Sequence, residues 1–426
     1  MSFDETAHVR APVIESSRKG DDAIFSSDLP RVMLSLRSDN TPWRRTCGCM
    51  LALVAMSALV PHGTLAQVRG STMPPRTVAR LDSLARAQLA IDGVGGMTIG
   101  IVTDSGLLWT NSYGFADMQR HQAASRATVY RIGSITKQFT AIMFLQLVQS
   151  GVVRLSDPAD EYLPVLDSTP SRREKAPRVT LLQLATMTSG LAQEPDDEAT
   201  YSKQPLADWT ETLAAALRHT KFNADPGAAG DYSNIGYAAL GAALQHAAKR
   251  PFVDYIRDRI LLPLGMTHSG FAADSDTRAR LATGYAMRPG TIDTLTPRRE
   301  LDGRGYRVPN GGLFSTVDDL AAFVRFEMNN GPDSVLPRDV MKNHFAGVAW
   351  ATGDLTWGYG VGFQSVRHGS IVALGHPGAV AGYLAAAYFD PATHTGAIVL
   401  RNVDDQHFDV LGFCLTVLEI AVDARK

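Results

Sequence analysis

The sequence predicts an α/β fold of the α+β sandwich type. A mostly antiparallel sheet flanked by helices is built from both ends of the mature chain, with an all-helical lobe inserted between. Three observations carry this expectation. Strand-like runs separated by turn residues begin near residue 97, and similar runs return after 357. Between about 155 and 300, apolar residues recur at helical spacing, divided by loops rich in Gly, Pro and Asp. The expected division is a leader over 1–66, a sandwich domain from 67–154 and 301–426, and a helical domain over 155–300. A cleft between the two lobes is the natural place for a site.

In the leader, Arg44 and Arg45 precede an apolar stretch of 14 residues, Cys47 to Val60, ended by Pro61. Thr64 and Ala66 then supply small residues before a cut at Gln67. This charged, apolar, small-residue order is that of a secretory signal. The stretch is too short to span a membrane, which takes about 20 apolar residues. The chain is therefore expected in the periplasm or outside a bacterial cell, with no stable membrane anchor after cleavage. Either Met1 or Met33 can serve as the translation start. Past the cut Cys414 is the one cysteine left, so no internal disulfide is expected. Its apolar helical surroundings make it a packing residue.

The mature chain opens with "MTIGIVTD", a Ser-Gly turn at 105–106 and "LLWTNSYGF", which read as a strand pair. A short strand, "ATVYRI", leads into a helix at Ser134. "LLQLATM", "ADWTETLAAALRH", "IGYAALGAALQHAAK" and "PFVDYIRDRILLPLG" read as helices of the inserted lobe. "STVDDLAAFVRFEM" reads as a helix with Ser315 as its N-cap. "GYGVGFQSV", "SIVALG", "GYLAAAYF" and "GAIVLRNV" read as strands, before a last helix from about 406.

Composition is ordinary for a globular chain of 426 residues, with 45% hydrophobic, 20% charged and 8% aromatic residues. A net charge of −2 and the lack of a basic run with interleaved aromatics argue against nucleic acid as a partner. The expected partner is a small-molecule or peptide substrate, and the sequence leaves the oligomeric state open.

One residue is chemically odd. Lys137 stands three positions after Ser134, at the head of "ITKQFTAIMFLQLV", which is apolar on nearly every face. The helix dipole and burial both disfavour a cation there. Either the lysine reaches solvent and Ser134 merely caps the helix, or the fold holds a neutral amine. A neutral amine one turn from a hydroxyl can take its proton and make a nucleophile. The positive helix end would also set the Ser134 N–H beside a developing oxyanion. The same Ser-x-x-Lys spacing occurs by chance at 16–19, so the pair alone decides little.

Two further segments add to it. Tyr232, Ser233 and Asn234 follow a Pro-Gly turn and begin a helix. A tyrosine near a cation can have a lowered pKa and join a proton relay, and Asn234 can hold a lysine or a substrate amide. Either Ser233 or Asn234 could instead be a helix cap. His376, Pro377 and Gly378 stand at the start of a strand, whereas His394 falls in a hairpin turn after Asp390-Pro391.

Together, Ser134-x-x-Lys137, Tyr232-x-Asn234 and His376-x-Gly378 resemble the serine β-lactamase and penicillin-binding-protein superfamily. The likeness is to its class C β-lactamase, DD-peptidase and carboxylesterase branch. "LLQLATMTSGL", "PLGMTHSGF", "GGLFSTVDDLAAF" and "GYGVGF" look like the same family, and the resemblance runs from about 97 to 420. It implies the β-lactamase/transpeptidase-like fold. It implies Ser134 as acylated nucleophile, Lys137 and Tyr232 sharing base and acid roles, and Asn234 orienting Lys137 and substrate. The N–H groups of Ser134 and Ala379 would form the oxyanion hole, and no metal or cofactor is called for.

Many relatives carry Lys-Thr-Gly followed by Ser or Thr where this chain has His376-Pro377-Gly378-Ala379. A proline inside a strand fits only an open edge. The hydroxyls that grip a substrate carboxylate are missing, and a histidine replaces the cation. Small neutral esters are therefore expected to turn over faster than carboxylate-bearing substrates. The carboxylates should gain ground as pH falls from 8 to 6 and His376 takes a proton. The leading expectation is an exported serine hydrolase acting on small esters or amides. A D-alanyl-D-alanine carboxypeptidase, a weak class C-type β-lactamase, and an inactive penicillin-binding-like scaffold are the alternatives.

Overall fold

The structure, a computed structural model, describes residues 73–170, 176–301, 303–347, 349–405 and 407–425. The expected leader with its signal lies outside these residues. All of them belong to one unit, Val68–Lys426. Its spine is a nine-stranded sheet. In chain order the strands are β1 (Gly96–Thr103), β2 (Gly106–Asp117), β3 (Gln122–Ala123), β4 (Trp350–Ala351), β5 (Trp357–Tyr359), β6 (Gln364–His368), β7 (Ile371–Val380), β8 (Tyr383–Asp390) and β9 (Thr395–Arg401). Their spatial order is β3-β2-β1-β9-β8-β7-β6-β5-β4, antiparallel throughout. Ile99 of β1 lies opposite Val399 of β9, so strands from the two ends of the chain meet in mid-sheet.

The central strands β8 and β9 are buried along their whole length, because both faces are covered. Five helices do most of the covering or carry the site: α1 (Pro75–Asp92), α2 (Thr136–Gln149), α3 (Asn234–Ala248), α4 (Val317–Glu327) and α5 (Val410–Asp423). Side chains alternate across the strands. Ala397, Val399 and Ala386 join a core with Leu81 and Ala85 of α1 and with Val417, Leu418 and Ala421 of α5. Ile398, Leu400, Ala385 and Ala387 face the other way, toward Phe323 and Val324 of α4. Behind α4 lies α2, with the Phe139 ring stacked on Phe323 at 4.0 Å. Cys414 is fully buried on α5, as a packing residue should be.

The fold is the mixed α/β one that the patterning predicts, a large antiparallel sheet flanked by helices, with differences in detail. The helix α1 had no counterpart in the sequence reading, since only Leu81 and Ala85 are buried in it. "GYGVGFQSV" is two strands, β5 and β6, divided by a turn in which Gly362 has φ +80°. The last helix begins at Val410. Thr316, not Ser315, caps α4, its hydroxyl accepting from the Asp319 N–H, while Ser315 meets the Ser269 hydroxyl at 2.8 Å. The stretch before residue 300 also holds a hairpin, Tyr285–Arg288 with Thr291–Asp293. Among the described residues no helix is long and apolar enough to cross a membrane.

Strand β7 carries the His376-Pro377-Gly378 segment. It runs unbroken through His376, so this residue lies inside the strand and not at its start. Pairing with β6 ends at Gln364 opposite Gly375, whereas pairing with β8 continues to Val380 opposite Tyr383. The segment from His376 to Val380 thus has a sheet neighbour on one side only, a setting that tolerates Pro377.

Candidate active site

Ser134 sits in a single 3₁₀ turn, Gly133–Ile135, that leads directly into α2. Its hydroxyl caps neither element. Instead Lys137, fully buried on α2, places its Nζ 2.9 Å from Ser134 Oγ, 2.7 Å from Asn234 Oδ1 and 3.1 Å from the Asn310 carbonyl oxygen. The lysine does not reach solvent. Burial pushes its amine well below the ordinary lysine range; Glu194 opposes that shift, while Arg304 and Arg307 add to it.

Asn234 is free for this contact because its neighbour does the capping. The Ser233 hydroxyl accepts from the Gly236 N–H at 2.9 Å at the head of α3. Asn234 then donates from Nδ2 to Glu194 at 2.7 Å, and Asn310 Nδ2 donates to the Asn234 carbonyl at 2.7 Å. Tyr232 lays its ring 4.8 Å from Lys137 Nζ. Its pKa moves opposite to the expected direction. Burial raises it, with the Ser134 side chain opposing and Glu194 adding, so Tyr232 is a neutral phenol. Burial disfavours the cation on the lysine beside it as well.

The edge of β7 reaches this cluster by a contact of bare backbone. Gly133 has φ +53°, and a Cβ on it would lie 2.7 Å from Ala379 N. A Cβ on Gly378 would overlap the Ile132 carbonyl oxygen and come to 3.1 Å from Ser134 N. Two glycines therefore let turn and strand close on each other, which brings the main-chain nitrogens of Ser134 and Ala379 near one another. Ala379 is exposed there, at the mouth of the site.

His376 is placed differently from its expected role. It is 1% exposed, with Nδ1 2.6 Å from the Pro377 carbonyl oxygen and Nε2 3.2 Å from the Tyr359 hydroxyl. Its pKa is lowered to about 3 by burial, with Lys137 adding and the Pro377 carbonyl opposing. It stays neutral throughout the range from 8 to 6, so the expected protonation of His376 in that range is corrected. Three contributors escaped the sequence reading: Glu194, Arg307 and the Asn310 carbonyl. No spacing pattern marks the first two, and a main-chain oxygen has no residue signature.

A buried lysine bonded to a serine hydroxyl, a neutral tyrosine and the closely packed main-chain nitrogens of Ser134 and Ala379 come together on an antiparallel α/β fold. The Beta-lactamase family matches residues 81–412, most of the sequence, and the chain belongs to this family of serine hydrolases. Protein flp of Staphylococcus aureus (strain MRSA252) is 25% identical over 332 residues, 77% of this chain and 63% of its own length. Beta-lactamase-like protein 2 of Dictyostelium discoideum is 29% identical over 261 residues, 59% of this chain and 46% of its own. The chain thus spans less than two thirds of these curated relatives. Among solved structures, the octameric penicillin-binding protein homologue from Pyrococcus abyssi superposes with TM-score 0.70 at 24% identity, covering 81% of this chain and 77% of that one. A class C β-lactamase gives 0.68 at 20% identity, covering 85% and 98%. A D-stereospecific amidohydrolase from Streptomyces sp. gives 0.63 at 22% identity, covering 78% and 95%. These last three are likenesses of fold.

Proposed function

We propose that the chain is an exported serine hydrolase that cleaves small esters or amides through an acyl-enzyme on Ser134. The observation that carries this reading is the set of three contacts around Lys137. A neutral amine has two N–H donors and one lone pair. Asn234 Oδ1 and the Asn310 carbonyl can only accept, so they take the two donors. The lone pair is left for the third neighbour, the Ser134 hydroxyl, which can donate.

In acylation Ser134 Oγ forms a bond to the substrate carbonyl carbon while its proton passes to Lys137 Nζ. The carbonyl oxygen becomes an oxyanion held by the Ser134 and Ala379 N–H groups. Its collapse breaks the bond to the leaving group. Tyr232, kept as a phenol, donates the proton that the leaving group needs and takes its replacement from Lys137. Water then attacks the ester by the same route in reverse, releasing acid and free Ser134.

Small neutral acyl groups suit this site, because His376 supplies no cation for a substrate carboxylate. The named likenesses, a class C β-lactamase and a D-stereospecific amidohydrolase, are in keeping with acyl transfer to a serine. Labelling with a fluorophosphonate tests the reading. Wild type should take up one label and Ser134→Ala none. Equal labelling of both removes Ser134 as nucleophile, and labelling of neither favours an inactive binding protein on this fold. Export rests on the signal-like order of residues 44–66. It is tested by N-terminal sequencing of secreted protein, which should begin near Gln67; soluble exported protein retaining residues 1–66 would overturn it.

A further inference from the structure

Behind Asn234 lies a group of buried charges that the three family motifs do not include. Glu194 Oε1 accepts from Asn234 Nδ2 at 2.7 Å and from Arg307 Nη2 at 2.9 Å. The Tyr306 hydroxyl donates to its other oxygen. The residue before it, Gln193, accepts the main-chain N–H groups of Asn234 and Ile235 at 2.9 and 3.2 Å. The loop at Gln193 and Glu194 therefore grips Asn234 by main chain and side chain at once. Asn234 Oδ1 in turn accepts from Lys137.

Charge balance gives the same carboxylate a second effect. Arg307 pairs with Glu194 and Glu198, and Arg131 and Arg304 share Glu300 at 2.9 and 3.1 Å. Three guanidinium groups thus face three carboxylates. A proton on Lys137 would be a surplus positive charge among balanced buried pairs, where unpaired charge is expensive. The groups that face Lys137 from the elements around it are Glu194 from its loop, Tyr232 and Tyr237 on and before α3, Arg304 and Arg307 from the segment before Asn310, and His376 from β7. Glu194 is the one carboxylate among them.

We propose that Glu194 is a positioning residue for acylation: it fixes Asn234 against Lys137, and its charge sets the pH below which Lys137 can no longer take the Ser134 proton. The proposal rests on Lys137 as the base for Ser134. Two variants separate its two parts. Glu194→Gln keeps the size and an acceptor oxygen but removes the charge that favours protonated Lys137. Tyr306→Phe keeps the charge but removes one donor that holds the carboxylate in place.

The experiment is the second-order rate of fluorophosphonate labelling of Ser134 from pH 5 to 10 in the full chain, with thermal melts of each variant. Wild type should show a rate that falls on the acid side. In Glu194→Gln this acid limb should move to lower pH, and the plateau should also drop by about tenfold, because the amide no longer accepts from the Tyr306 hydroxyl. In Tyr306→Phe the limb should stay in place while the plateau drops by about tenfold, because Asn234 is no longer held. An unmoved limb in Glu194→Gln overturns the charge effect, and an unchanged plateau in Tyr306→Phe overturns the positioning effect. Should Glu194→Gln fail to melt cooperatively, Glu194 is a folding residue and the proposal falls. Wild type that takes no label at all defeats the underlying reading instead, so the two failures are distinct.

Discussion

Replacing Gly378 by alanine tests the closeness of strand and turn on which the proposed oxyanion hole depends. The added methyl group would overlap the Ile132 carbonyl oxygen and lie 3.0 Å from the carbon of that carbonyl and 3.1 Å from Ser134 N. Ordinary contact begins at 3.4 Å, and all three neighbours are main-chain atoms that cannot swing aside. Gly378 is not among the glycines with positive φ, so alanine adopts its backbone conformation without strain. The whole effect then comes from the forced separation. A parting of about 1 Å should cost about a hundredfold in rate. Complete loss of one oxyanion donor costs about 10²–10³ in kcat. Overpacking should lower stability by about 1–3 kcal/mol, which leaves a folded enzyme. The assay is kcat and KM on p-nitrophenyl acetate beside a thermal melt, with Gly353→Ala, whose methyl group meets nothing within 4 Å, as control. Gly378→Ala should lose about a hundredfold, mostly in kcat, and still melt cooperatively; the control should match wild type. A Gly378→Ala enzyme within about threefold of wild type would refute the argument that this contact builds the site.

Three other outcomes follow from buried groups. Lys137→Met should lower kcat/KM for the same ester by about 10²–10⁴, the worth of a positioned base, without lowering the melting temperature, because the fold no longer buries an amine. The ratio of kcat/KM for a cephalosporin to that for the neutral ester should stay flat from pH 8 to 6, since His376 titrates far below that range at about 3. A ratio that climbs steadily toward pH 6 would restore His376 as a cation. Glu327 is buried on α4 and accepts from Gln138 Nε2 at 2.5 Å, while Glu327 Oε2 and Gln138 Oε1 lack partners, an arrangement that a protonated carboxyl would complete. Burial raises its pKa well above the ordinary glutamate value, with the Gln138 bond opposing. A group raised on folding contributes stability that is full below its unfolded pKa and is lost as pH rises through the folded one. Glu327→Gln should therefore melt progressively higher relative to wild type as pH is raised from 5 to 9, and a constant difference would show that Glu327 is already ionised.

What the sequence made legible was local. Ser134 and Lys137 are read from one helical turn, and Tyr232 and Asn234 from one loop-to-helix entry, because backbone geometry fixes neighbours at those spacings. The sheet was legible where strands alternate or are wholly apolar, as in β8 and β9. Helix α1 was not, since two buried residues in 18 make a faint stripe. Glu194 reaches Asn234, and Arg307 reaches Glu194, from segments far apart in the chain that only the folded structure brings together. The protonation states of Tyr232 and His376 also escaped. Residue type suggested a shared cation and a titrating imidazole, but burial, which sequence does not measure, decided both.

In the proposed mechanism a substrate acyl group is carried on Ser134. Rapid quenching of the enzyme with p-nitrophenyl acetate, followed by peptide mapping by mass, tests it most directly. A burst of p-nitrophenol and an acetyl group on the peptide that contains Ser134 are expected, both absent in Ser134→Ala. An acetyl group found on another residue, with Ser134→Ala turning over at the wild-type rate, would contradict it.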